Sequence, residues 1–195
     1  MFEDDLKRAQ LQLKAIPSFV DKVQAKAINS ATRKALTLAV NGIKSQVNLK
    51  SPYIRSKLKV YHQATAQNPV GVLGVESRGV LLDRFDGQQI VTKSKNPSRS
   101  KGDPLRGISA GYKSQGTTVK IKPNSGNTFF KGFYIPLKNN NSMGIAVRTG
   151  SGQKDYKVLY GPSVSQTFKT VREDIAEETK DLVVTELLNT LESIS

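Results

Sequence analysis

From Phe19 onward, small and apolar residues return every three or four positions, at Val23, Ala27, Ala31, Ala35, Leu38 and Ile43. That spacing puts them on one face of an α-helix, and the pattern fades near Val47. Upstream, Leu6, Leu13 and Ile16 lead to Pro17. Proline has no amide donor and crowds the preceding turn, so the pattern predicts a helix broken at Pro17 and restarted at Ser18. The alanine-rich stripe reads as the core face of this helix, with side chains small enough to admit a close helical neighbour.

A second helical period occupies the other end of the chain. Val164, Phe168, Val171 and Ile175 recur at three- and four-residue spacing, and Leu182, Leu187, Leu188 and Leu191 continue the apolar edge. The predicted helix runs from Pro162 to about Ile194, on the order of 45 Å at 1.5 Å per residue. The stretch LYGPSVSQTF, residues 159–168, sets its start. Gly161 takes backbone angles closed to other residues, Pro162 pre-sets the dihedral of a first helical turn, and Ser163 or Ser165 supplies a cap. Gly161 and Pro162 thus read as a structural hinge.

Between the helices the period shortens to two. Ser51-Pro52 opens a short helix through about Leu58, after which Lys59 to Gln63 alternates as a strand. Pro69–Ser77, Thr117–Pro123, the aromatic Phe129–Leu137 and Met143–Thr149, reached across KNNNS, read as further strands of an antiparallel sheet. The fold class is therefore α+β, a long N-terminal helix and a long C-terminal helix around a central antiparallel β-sheet. We divide one domain, 1–195, into a helical segment 1–47, a β-rich core 48–160 and a C-terminal helix 161–195. Within the core, VTKSKNPSRSKGDPLRG is too rich in Lys, Ser, Pro and Gly to bury an apolar face, which predicts a mobile basic loop over residues 90–116.

Charge sharpens this outline. The chain carries a formal net charge of +14. Residues 169–195 hold three bases against seven acids, a net −4, so the remainder holds +18. A basic body and an acidic arm suit anionic partners and head-to-tail contact between copies. Two basic segments stand out as contact candidates: Lys50, Arg55, Lys57 and Lys59 interleaved with Tyr53 and Tyr61, and Lys93, Lys95, Arg99, Lys101 and Arg106 in the loop. Bases alternating with aromatics suit phosphate contact and base stacking; packed tyrosines with solvated bases are the structural alternative.

Catalytic chemistry finds little footing. There is no Cys, and a single His, His62, so disulfides, thiolate zinc sites and a Cys/His dyad are excluded. Glu76, Asp83 and Asp86 are the one carboxylate set that would suit a divalent metal in a nuclease, but Asp86-Gly87 reads first as a turn. Gly71, Gly74 and Gly79 do not have dinucleotide-loop spacing, and no phosphate-loop signature occurs. No run approaches a membrane span, and the start MFEDDLKRAQ is charged where a signal peptide turns apolar. The expectation is a non-enzymatic, soluble protein without cofactor, metal or membrane partner.

Taken in order, KAINSATRKALTLAVNGIKSQVNLKSPYIRSKLKVYHQAT, FYIPLKNNNSMGIAVRTG and VLYGPSVSQTF resemble the minor tail protein Z family of lambda-like tailed bacteriophages and prophages. The elements that carry the resemblance are Leu49-Lys50 through Val60, Phe133–Ile135, Gly144–Arg148 and Leu159–Ser163. What it implies is a virion structural protein, assembled in the host bacterial cytoplasm, that completes the tail at its head-proximal end. By that resemblance its copies form a ring, its partners include the tail terminator or tube, and it helps the packaged DNA end engage the channel. The competing reading from the residues alone is a basic nucleic-acid-binding protein.

Overall fold

The computed structural model describes residues 2–137 and 142–192, and the side chains of residues 19–137 and 142–190. The sequence-predicted turn at 138–141, the helix end beyond Glu192 and the side chains of Leu6, Leu13 and Ile16 lie outside these. Among the described residues there are three α-helices: α1 (Phe2–Gln46), α2 (Ser51–Lys57) and α3 (Val164–Glu192). Between them run β1 (Leu58–His62), β2 (Val72–Val75), β3 (Val80–Leu81), β4 (Gln88–Lys93) and β5 (Tyr112–Val119). β6 (Thr128–Phe130), β7 (Gly132–Pro136), β8 (Met143–Arg148), β9 (Tyr156–Val158) and β10 (Tyr160–Gly161) follow. All strand pairs are antiparallel, so the fold is α+β as the periodicities predict.

Two expectations need correction. Pro17 does not break α1, which continues through it. A proline removes one hydrogen bond and crowds one carbonyl, a local cost of about 3 kcal/mol, and the bonds formed on either side carry the helix across. The strands also do not form one central sheet. They divide into β1–β2, β3–β10, β4–β5–β6 and β7–β8–β9. The strands are short, irregularities interrupt the ladders at Val60/His62 and Ile90/Val91, and Lys131 splits the aromatic run into β6 and β7.

The chain forms two compact units. The first comprises residues 1–42, 55–76 and 168–195. Here the stripe Val23, Ala27, Ala31, Ala35 of α1 is buried, joined by Ala39, while Leu38 is only half-buried. The small side chains do admit a close helical neighbour: a Cβ on Gly42 would stand 3.4 Å from Val171 of α3. Val171 and Ile175 are the buried face of α3, and Lys34 of α1 pairs with Glu186 farther along it. Asn29 anchors the end of β1, giving Nδ2–H to the Ala64 carbonyl and accepting the Ala64 amide, both at 2.8 Å. A side-chain amide here serves as the missing strand partner.

The second unit comprises residues 43–54 and 77–167. Its centre is apolar: Ile43, Ile54, Val80, Phe85, Val119, Ile145 and Val164 are fully buried. The proposed hinge sits on this core. Leu159 donates to Ile145 O at 2.8 Å and accepts from Leu82 N at 3.2 Å, tying the strand before the hinge to two neighbours. Gly161 is not in the left-handed region; the need for glycine is steric, because a Cβ there would stand 2.4 Å from Phe85 Cε2. Pro162 precedes the helix cap instead of occupying its first turn. Ser163 Oγ accepts the Gln166 amide at 3.0 Å and Gln166 Oε1 accepts the Ser163 amide at 2.9 Å, a reciprocal capping box.

The segment expected to be a mobile loop has internal structure. β4 and β5 form a bulged hairpin that takes in its ends. The intervening chain bonds to itself through Ser94 N to Gly111 O, Gly111 N to Ser100 O and a bridge between Asp103 and Ile108. Gly102, Gly107 and Gly111 adopt left-handed angles that let it turn back. Lys, Ser, Pro and Gly here supply tight turns closed by backbone hydrogen bonds, which do not require an apolar face.

Candidate functional site

The nine candidate bases fall into different settings. On β1, Lys59 Nζ lies 2.6 Å and on α2 Lys57 Nζ lies 3.3 Å from the Glu76 carboxylate. Hydrogen bonds from Lys59 first, then Lys57, hold the Glu76 carboxyl below its ordinary range. These two bases therefore meet an internal anion. The hairpin explains it: Leu58 pairs with Val75, so Glu76 follows directly across from the α2–β1 junction. Alternation in the sequence marked both strands, but their register was needed to place the acid.

Lys50 and Arg55 of the same segment are exposed. Lys50 borders a cavity of about 280 Å³ with Tyr53, Asp83, Arg84 and Asp86. Tyr53 carries the Arg84 guanidinium over its ring at 5.2 Å, so this face of the ring is taken. Tyr61, 61% exposed, lies across the open position of Gly74 on the facing strand. Phe129 covers Gly116 and Tyr160 covers Gly79 in the same manner. Large aromatic rings over glycines shield strand backbone while leaving one ring face in water.

The hairpin gathers the other group. Lys93 closes β4, and Lys95, Arg99 and Lys101 follow in the loop, all exposed. Among the described residues no carboxylate pairs with these four. Arg106 behaves differently: its Nε meets Asp103 Oδ2 at 3.3 Å, and its guanidinium lies 5.7 Å from the centre of the Phe133 ring. Arg148 approaches the same ring at 5.1 Å, and its NH1 group donates to the Gly152 and Gln153 carbonyls. Arg106 and Arg148 thus brace local structure.

The catalytic candidates resolve into structural roles. Asp86 takes a left-handed conformation at φ 55° and Gly87 N donates to Asp83 O at 3.1 Å, which is a tight turn. Among the described residues no group of three His, Cys, Asp or Glu side chains stands together to hold a metal. His62 closes the β1–β2 connection, with Nδ1 2.8 Å from Val70 O and Nε2 3.4 Å from Asn68 Nδ2; a neutral ring with its proton on Nδ1 satisfies both. Burial, and secondarily a hydrogen bond to Asp83, raises the Tyr134 phenol well above its usual range and keeps it neutral. Among the described residues no helix is long and apolar enough to cross a membrane.

Charge is segregated on α3 in the opposite sense. Asp174, Glu178 and Asp181 are exposed on a stripe that flanks the buried Val171 and Ile175. No base among the described residues pairs with them. Among the described residues the arrangement presents exposed charged and aromatic side chains and no assembled nucleophile, base or metal cradle.

No curated protein and no solved structure matches the chain. The family described as Prophage minor tail protein Z (GPZ) does match, over residues 5–193, taking in both long helices and every strand between them. The chain belongs to that family, whose members are structural components of the phage tail.

Proposed function

We propose that this protein completes the tail at its head-proximal end, assembling as a ring at the neck and helping to join head to tail or to position the packaged DNA end. Its work is binding and assembly, not catalysis. The observation that carries the reading is the family match across nearly the whole chain, which brings the tail role to all of its elements together. Segregated charge supports it: an exposed basic hairpin and an acidic helix face favour contact with other copies and with tail terminator or tube proteins. Such a protein resides in the virion after assembly in the host cytoplasm. Deleting the gene from the phage or prophage that encodes it tests the proposal. Tails that form but stay unjoined, or complete-looking particles that fail to infect, are the expected outcome; fully infectious particles would overturn it.

One observation favours a second reading, direct nucleic-acid binding. Lys93, Lys95, Arg99 and Lys101 have no carboxylate partner among the described residues and are placed where phosphates would reach them. Direct contact by about four or five bases makes duplex affinity fall on the order of a hundredfold between about 50 and 200 mM salt. Flat, weak binding over that range rejects this reading.

A further inference from the structure

On α3 the exposed side is not uniformly polar. At 100° per residue, Asp174, Glu178 and Asp181 fall in one stripe. Leu188 continues that stripe beyond Asp181 and Val184 flanks it, 55% and 58% exposed. A helix face that sets unpaired carboxylates beside two large aliphatic side chains is poorly served by water alone.

The β4–β5 hairpin carries the converse surface. Val91 and Lys93 point to one side of β4, and the cross-strand partner of Lys93 is Tyr112. Val91 is 39% and Tyr112 40% exposed. Lys95, Arg99 and Lys101 follow the end of β4 and are exposed. The dimensions agree: residues 174–188 cover about 21 Å of helix, and the six residues of β4 cover about 20 Å.

We propose that the hairpin of one copy docks on the exposed face of α3 in the next, its lysines on Asp174, Glu178 and Asp181 and its Val91 and Tyr112 against Val184 and Leu188. A second copy fits better than a nucleic acid, because phosphates give Val91 and Tyr112 no apolar counterpart and α3 repels a polyanion. The two patches differ, so the contact is heterologous and repeats head to tail, closing into a ring if the rotation between copies closes. This rests on the self-assembly part of the proposed function and specifies its surfaces.

The test is a charge-exchange experiment on the full chain. One variant carries Lys93→Glu, Lys95→Glu and Lys101→Glu; the other carries Asp174→Lys, Glu178→Lys and Asp181→Lys. All six sites are exposed, and circular dichroism verifies that both variants fold. In sedimentation at low ionic strength the wild type self-associates, each variant alone associates at least tenfold more weakly, and an equimolar mixture regains association. The mixture regains it because each variant then offers the surface that the other requires. Wild-type-like association of either variant overturns the docking, as does a mixture that stays monomeric or a wild type that is monomeric at every concentration. The same holds if the hairpin variant loses affinity for a 30-base-pair duplex while its self-association is unchanged. An infection defect on gene deletion, combined with variants that associate like the wild type, leaves tail completion standing and removes only this interface.

Discussion

Replacing Gly161 by Ala distinguishes two reasons for a glycine at the entrance to α3. Its backbone lies outside the left-handed region, so alanine is not strained by dihedral angle. If conformational freedom were the only issue, Gly161→Ala would stabilise the protein by about 0.4–1 kcal/mol through the unfolded chain. The structure predicts the opposite sign. The new Cβ would stand 2.4 Å from Cε2 and 2.9 Å from Cζ of Phe85, against an optimal carbon contact of about 3.5–4.0 Å. Phe85 is fully buried, so its ring cannot swing into solvent. Overpacking of this kind costs about 1–3 kcal/mol, and at about 2 kcal/mol the melting temperature falls by roughly 4–8 °C for a chain of this size. Urea and thermal unfolding followed by circular dichroism measure the change. Phe85→Leu deletes the two closest atoms and leaves only Cδ2, at 3.0 Å, on a side chain free to rotate, so in that background Gly161→Ala should cost at least about 1 kcal/mol less than in the wild type. A Gly161→Ala protein as stable as wild type, or an equal loss in both backgrounds, refutes the steric argument.

Asn29→Ala orphans the amide and carbonyl of the buried Ala64 and should destabilise by about 2–3 kcal/mol, whereas Asn29→Asp, which keeps the acceptor, should lose about half as much in the same urea titration. The buried hydroxyl of Thr117 has no hydrogen-bond partner among the described residues; Thr117→Val should therefore raise stability by about 1 kcal/mol, and a loss of that size in thermal unfolding would contradict the assignment. The Glu76 carboxyl is held low by Lys59 and Lys57. Its contribution is present above the unfolded carboxylate pKa of about 4.3 and disappears as pH falls through the lower folded value. Melting temperatures of Glu76→Gln and wild type should therefore differ near neutral pH, converge in acid and draw closer in high salt; a constant gap across pH contradicts the pairing.

Both long helices were legible because their apolar positions repeat over many turns, and the short α2 because Ser51-Pro52 marks its start. Alternation marked β1, β2, β8, the end of β5 and the run that divides into β6 and β7, whereas β4 and the short β3, β9 and β10 were not read as strands. Pairing was not legible: bulges at Val60/His62 and Ile90/Val91 shift the register within two ladders, the break at Lys131 puts β6 and β7 in different sheets, and none of these carries a periodic signal. Pro17 misled because a local penalty is outweighed by the helix on both sides of it. At Gly161 the residue type was informative but its cause lay 76 positions away, in Phe85. The candidate contact residues were half legible. Sequence located the bases, yet only the fold separates Lys57 and Lys59, which share the Glu76 carboxylate, and Arg106, braced on Asp103 and Phe133, from the hairpin cations that have no carboxylate partner among the described residues.

The most direct test of the central claim is to find the protein in the particle. Cryo-electron microscopy of wild-type virions, compared with particles carrying a tagged copy of this chain, should show a closed ring of added density where the tail meets the head. Density confined to the distal tip, or particles with no copies of the chain, would contradict the account.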